Sequence, residues 1–159
     1  MEYYDLIAKG YDELHKEEQL NKLDIIKNHI NINKNTRILD VGCGTGVSSY
    51  FDCFVVGIDL SIGLLKQNRN SKKLLGAAET LPFKDDSFDC VVSVTSIHNF
   101  EDIQKSIKEM KRVGKNKFVF SVLKRADKFN FIEELITKNF KIGNVIEENK
   151  DAIFFCQKP

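Results

Sequence analysis

No run in this sequence approaches the roughly 18 apolar residues that a helix needs to cross a membrane. The first thirty residues begin MEYYDLIAKGYDELHKEEQ. They lack a basic segment followed by an apolar stretch, so they do not read as a signal peptide. Both absences lead to the expectation of a water-soluble, cytoplasmic protein with no membrane association. An excess of one charge is also missing. Lys and Arg number 24 against 23 Asp and Glu, a balance that argues against a protein whose main task is gripping nucleic acid. The four cysteines, Cys43, Cys53, Cys90 and Cys156, form no CxxC pair and no Cys/His group with zinc spacing. They read as mostly buried, reduced thiols, and no metal site is expected. No repeat, low-complexity tract or linker interrupts the chain. Residues 1–159 are therefore expected to form one domain, a length that fits a real core.

What is present is an alternation of short apolar runs with helical periods. RILDVG (37–42), CFVVGID (53–59), LLGAA (74–78), FDCVVSV (88–94) and KFVFSVL (117–123) are rich in Val, Ile and Phe. They read as strands buried on both faces. Helices are expected at 13–30, 46–52, 61–70, 101–113 and 128–140. In the fourth of these, Ile103, Ile107, Met110 and Val113 share one face. Such alternation predicts a parallel α/β sheet covered by helices. The last segment, KIGNVIEENKDAIFFCQK, has two strand-like stretches around a polar turn at residues 148–151, so the sheet should finish with an antiparallel hairpin.

The sharpest local feature is ILDVGCGTGVSS, residues 38–49. Gly42, Gly44 and Gly46 stand at alternate positions between a strand and a helix. Glycine there allows positive φ and lets a ligand approach bare backbone. Ligands bind in the crevice past the carboxyl ends of parallel strands. A dinucleotide turn reads GxGxxG and places a pyrophosphate on the helix N-terminus. Here Val47 stands where that third glycine would be, and Asp40 would repel a pyrophosphate. Asp40 suits a cation, such as the α-ammonium or sulfonium of S-adenosylmethionine. The plainer alternative is a turn that merely permits tight packing. In VVGIDLS (55–61) a strand ends at Asp59, whose carboxylate can accept both hydroxyls of a ribose; alternatively Asp59 or Ser61 caps the next helix. In residues 76–94, a loop holding Leu81, Pro82 and Phe83 can lay apolar surface against an adenine ring.

These three blocks, in this order and spacing, resemble the class I S-adenosylmethionine-dependent methyltransferases over about residues 36–123. The resemblance implies a doubly wound, mostly parallel seven-stranded sheet of the Rossmann-like methyltransferase fold, with S-adenosylmethionine as cofactor. It implies that Asp40, Gly42, Cys43, Gly44 and Gly46 hold the methionine part. It implies that Asp59 binds the ribose, that Leu60 lies beside the adenine, and that Ala78 and Glu79 surround its amino group. Residues 93–97, Ser93 and Val94 first among them, would floor the cofactor and meet the substrate. The segment AKGYDEL resembles a lid segment of related enzymes and matches Tyr11 to their approaching tyrosine, so residues 1–30 are expected to form a helical lid. Three departures stand out. Ala77 replaces a usual Asp, only thirteen residues separate Gly46 from Asp59, and Val113-Gly114-Lys115-Asn116-Lys117 replaces a Pro-Gly-Gly turn.

Methyl transfer is an in-line displacement, so the protein mainly positions two reactants. A general base is needed only for a protonated nucleophile. His98, in SVTSIHNFED, is the candidate base, and Asn99 could orient a substrate. The alternative for His98 is a helix-leading residue bonded to backbone. Tyr3 and Tyr4 could join Tyr11 in a lid, while His15 and His29 read as surface residues. No NPPY-like tetrad follows the fourth strand, which disfavours the exocyclic amino acceptors of families that use one. Residues 105–141 hold eleven Lys and Arg against four acids, leaving +7 there and −6 elsewhere. That stretch reads as a solvated surface or as an anion-facing patch for RNA or a phosphorylated metabolite. The reading is a methyltransferase acting on an O, N or C acceptor, completed by a homodimer or a small activator subunit. The rival reading is a non-catalytic module that binds S-adenosylmethionine or S-adenosylhomocysteine.

Overall fold

This computed structural model describes the backbone of residues 2–159 and the side chains of residues 16–159. The chain runs α1 (Glu2–His29), β1 (Arg37–Val41), β2 (Phe54–Asp59), α2 (Ile62–Gln67), β3 (Lys73–Leu75), β4 (Phe88–Val94), α3 (Ile103–Val113), β5 (Gly114–Leu123), α4 (Phe129–Asn139), β6 (Lys141–Glu147) and β7 (Asp151–Gln157). Among the described residues the strands form one sheet in the order β3-β2-β1-β4-β5-β7-β6. The five strands from β3 to β5 are parallel, and β7 is antiparallel to both of its neighbours. The expected hairpin is there, with β6 at the edge and β7 inserted beside β5. Its turn is tied by the Glu148 carboxylate, which accepts from the N–H groups of Lys150 and Asp151. Among the described residues no helix is long and apolar enough to cross a membrane, and no His/Cys/Asp/Glu group could hold a metal ion.

The apolar runs are continuous because both faces of the sheet are covered. Successive residues of a strand point to opposite faces, and they divide between two cores. Leu39, Val91 and Phe118 face one core with Ile107, Met110, Ile136 and Phe140 of α3 and α4. Their neighbours Ile38, Val92 and Val119 face the other, with Leu23 and Ile26 of α1. Cys43, Cys90 and Cys156 are free and buried, and Cys53 is free and half-buried. Burial pushes the Cys90 and Cys156 thiols up to about 12, so both are inert in these surroundings.

Several elements differ from the sequence expectation. The helix at the amino end begins at Glu2 rather than near residue 13. The helix expected at 46–52 is a short 3-10 turn, Val47–Tyr50. The whole β1-to-β2 connection is about a dozen residues, the lower limit for a parallel crossover, and it has no room for a full α-helix. Leu23 and Ile26 of α1 cover that space and pack in one cluster with Phe51. The third strand stops at Leu75 instead of 78, and α2 ends at Gln67 because Asn68 is extended. Finally, α3 passes directly into β5 at Gly114 without a loop. A Cβ at Gly114 would meet Phe118 at 2.5 Å and Val91 at 2.8 Å, so only glycine fits this junction.

Chain order reverses between β1 and β4: β2 lies on one side of β1 and β4 on the other. At such a switch point the connections diverge to opposite faces, and a crevice opens past the carboxyl ends of the two strands.

Candidate cofactor site

The floor of that crevice is the turn after β1. Gly42, Gly44 and Gly46 have φ of 81°, 51° and 85°, a conformation that L side chains adopt only with strain. The N–H groups of Gly42 and Cys43 both donate to Ile58 O, at 2.8 and 3.1 Å. A Cβ at Gly42 would sit 2.5 Å from Ser96 Cβ, and one at Gly46 would overlap the Asn68 carboxamide. Gly44 differs: a Cβ there would meet only Leu64 Cδ1, at 3.7 Å. The outer two glycines therefore answer to packing, and Gly44 faces open space.

That space consists of two cavities, about 540 and 430 Å³, which share Gly42, Gly44 and Ser96 in their walls. The larger has Asp59 on one side and apolar walls from Ile58, Leu60, Ala78 and Phe100. The smaller holds Asp40, Thr45 and Ser48, with Gln19 and Leu23 of α1 over them.

Asp59 ends β2. Its Oδ2 accepts from Gly44 N–H and its Oδ1 from Ser61 N–H, both at 2.8 Å. Asp59 thereby braces the glycine turn against the start of α2. Ser61 is the cap of α2, accepting from Leu64 N–H at 3.1 Å. Asp40 is buried. One oxygen, Oδ2, accepts a hydrogen bond from Ser48 Oγ, and Oδ1 has no partner. Burial raises the Asp40 carboxyl to about 7; the Ser48 hydrogen bond opposes this, and the charge of Asp59 adds to it. A buried carboxylate oxygen without a partner is costly in isolation. A cation in the smaller cavity would satisfy it.

Residues 39–121 match the family model of the methyltransferase domain. The chain belongs to the methyltransferase domain family. An uncharacterized protein of Methanocaldococcus jannaschii is 34% identical over 96% of the chain, and the chain spans 63% of that relative's length. Two solved structures share the fold of this methyltransferase domain. A SAM-dependent methyltransferase from Aquifex aeolicus has a TM-score of 0.73 at 14% identity, covering 86% of this chain and 89% of its own. The other is a chain from the complex of the Haloferax volcanii Trm112 methyltransferase activator with a proposed methyltransferase. Its TM-score is 0.80 at 14% identity, covering 98% of this chain and 97% of its own. Family and fold agree with the class I resemblance of the motifs, and S-adenosylmethionine is the cofactor of that class.

The cavity residues fit that molecule. Asp40, whose buried Oδ1 has no partner, is in the wall of the smaller cavity, which suits an ammonium group, and the apolar cavity beside Asp59 suits an adenosyl group. Of the residues expected to bind cofactor, Gly42, Gly44, Asp59, Leu60 and Ala78 line the larger cavity. Asp40, Cys43 and Val94 line the smaller one. Gly46 lies behind the turn, and the Cys43 thiol is engaged by Asn68 Nδ2 at 3.6 Å. Ser93 is fully buried and donates to Val41 O at 2.8 Å, tying β4 to β1. Glu79 is not brought to either cavity; its carboxylate accepts from Asp102 N–H at 3.0 Å, next to the start of α3. The side chains of Tyr3, Tyr4, Tyr11 and His15 lie outside the described residues.

His98 sits in a 3-10 turn, Ile97–Asn99, after β4. Its neighbour Asn99 lines the larger cavity, and His98 lines neither. His98 Nδ1 is buried and has no hydrogen-bond partner, so the backbone-bonded alternative does not account for that nitrogen. Burial holds the imidazole below its ordinary range; the charge of Asp151 opposes this and that of Lys128 adds to it. Ser96, within the expected 93–97 stretch, lines both cavities, while Ser48 and Asn68 were not anticipated from the sequence. Asn68 donates to Gly44 O at 3.1 Å and so supports the turn from behind. In the sequence it falls inside the helix expected at 61–70, so nothing there marks it.

Proposed function

We propose that this chain is an S-adenosylmethionine-dependent methyltransferase that acts on an O, N or C acceptor. The observation that carries the reading is the unpartnered, buried Asp40 oxygen at the smaller cavity, next to an apolar cavity with Asp59 in its wall. Asp40 and the glycine turn hold the methionine end, Asp59 takes the ribose hydroxyls, and Ile58, Leu60 and Ala78 sandwich the adenine. The bound cofactor supplies an electrophilic methyl carbon. The chain's own residues exclude water from that carbon and hold the acceptor in line with it. For a nucleophile that carries a proton, His98, neutral at pH 7, is the base only where the acceptor extends past the two cavities, which His98 does not line.

Residues 1–159 work as one methyltransferase domain, with residues 1–30 forming a helical lid. The protein acts in the cytoplasm. A second copy of the chain or a small activator subunit completes the acceptor site; the Haloferax volcanii relative in fold, seen with an activator, supports the second option. Titration with S-adenosylhomocysteine followed by a methyl-release assay over mixed acceptor pools tests the proposal. Binding with turnover supports it, and binding without any turnover would favour a non-catalytic module.

A further inference from the structure

Among the described residues, two non-glycine positions have positive φ: Asp86 at 54° and Thr95 at 52°. Asp86 lies in an exposed turn, and a short polar side chain tolerates that conformation. Thr95 is β-branched, so the left-handed conformation strains it. Three groups hold it there. Its N–H donates to Ser121 O at 2.9 Å. Its Oγ1 donates to Asp151 Oδ2 at 2.6 Å and accepts from Lys22 Nζ at 3.0 Å. Asp151 is fully buried, accepts from Ser121 Oγ at 2.5 Å, and faces Lys22 Nζ at 3.4 Å. The Lys22 side chain is 2% exposed. The cluster thus joins α1, β5, the start of β7 and the turn after β4.

Neither feature is favoured by stability alone. A buried ion pair is often replaced by apolar side chains without loss, and glycine would relieve the strain at position 95. Both features converge on the wall of the cofactor cavity, where Thr95 itself lies. The next residue, Ser96, donates to Gly42 O at 3.1 Å and stands between the two cavities. Gln19 and Leu23, which flank Lys22 on α1, line the smaller cavity.

We propose that the Lys22–Thr95–Asp151–Ser121 cluster is the positioning element of the cofactor site. It turns the chain after β4 so that Ser96 seats on Gly42, and it docks α1 over the methionine end. The cluster acts through Ser96 and α1 rather than on the reacting atoms, and the inference rests on the reading of these cavities as the S-adenosylmethionine site.

Titration calorimetry with S-adenosylhomocysteine tests it on the wild-type chain, Thr95→Val, Thr95→Ser and the double variant Lys22→Met/Asp151→Leu, with the folded fraction of each followed by circular dichroism. Thr95→Val keeps shape and loses the hydroxyl. It is expected to remain folded and to bind roughly tenfold or more weakly, the size of losing hydrogen bonds to charged groups. Thr95→Ser restores binding. The double variant removes the pair without leaving a lone buried charge; it decides the question if Thr95→Val does not fold, and is expected to bind as weakly. Wild-type affinity in the folded Val and double variants overturns the inference alone. No binding to the wild-type chain overturns the cofactor reading, and this inference with it.

Discussion

Asp40→Asn separates the stability of this domain from its function, because the two should move in opposite directions. In the ligand-free chain burial raises the Asp40 carboxyl from 3.8 to about 7. The folded state therefore holds this proton more tightly than the unfolded state does. Stability from this group is fully present below pH ~4 and is lost as pH rises towards about 7. The displacement is worth about 4 kcal/mol, since each pH unit corresponds to about 1.4 kcal/mol. Asparagine keeps an acceptor for Ser48 Oγ and removes the charge. Its amide N–H₂ stands where Oδ1 has no partner, and an unsatisfied donor costs about 1–3 kcal/mol. The net gain at pH 8 is about 1–3 kcal/mol, which raises Tm by roughly 3–10 °C for a domain of this size. At pH 4 the gain disappears. Affinity for S-adenosylhomocysteine should fall by roughly 10- to 150-fold, the loss of a charge-assisted hydrogen bond worth about 1.5–3 kcal/mol. Scanning calorimetry at pH 4 and 8, with titration calorimetry at pH 8, reads both effects. A lower Tm at pH 8, or an unchanged affinity, would refute the reasoning.

Three further outcomes follow from the same geometry. Wild-type affinity for S-adenosylhomocysteine should rise between pH 5.5 and 7.5, by up to about tenfold per unit, because the ligand ammonium must draw a proton off Asp40; a flat pH profile would contradict this. Gly44→Val should leave a folded domain, with about 1–2 kcal/mol of left-handed strain, and abolish binding, because the new side chain projects into the space beside Leu64; near wild-type affinity would show that the pocket is misplaced. Asp59→Ala should weaken binding by about 1.5–3 kcal/mol and also free the Gly44 and Ser61 N–H groups; an unchanged Kd would remove Asp59 from the ribose role.

The glycine turn was legible because its constraints are local. Three glycines at alternate positions all have positive φ, and Asp59 stands at the tip of its strand as the spacing required. The terminal hairpin was legible for the same reason: its polar turn is stabilised by Glu148 within the same segment. What depends on distant partners was not. Helical periodicity after Gly46 could not show that α1 fills the space beside Phe51 and leaves only a 3-10 turn. Glu79 looked like an adenine contact, but its partner is Asp102 on another connection. Nothing in the sequence singles out Lys22. Its burial depends on Asp151, at the other end of the chain.

The central claim is that the paired cavities at residues 40–46 hold S-adenosylmethionine through Asp40. Titration calorimetry of the wild-type chain with S-adenosylhomocysteine at pH 7, in two buffers of different ionisation enthalpy, tests it directly. The account predicts one site per chain and a heat that changes with buffer, because binding releases the Asp40 proton. The absence of a binding heat in both buffers, together with no thermal shift from the ligand, would contradict it.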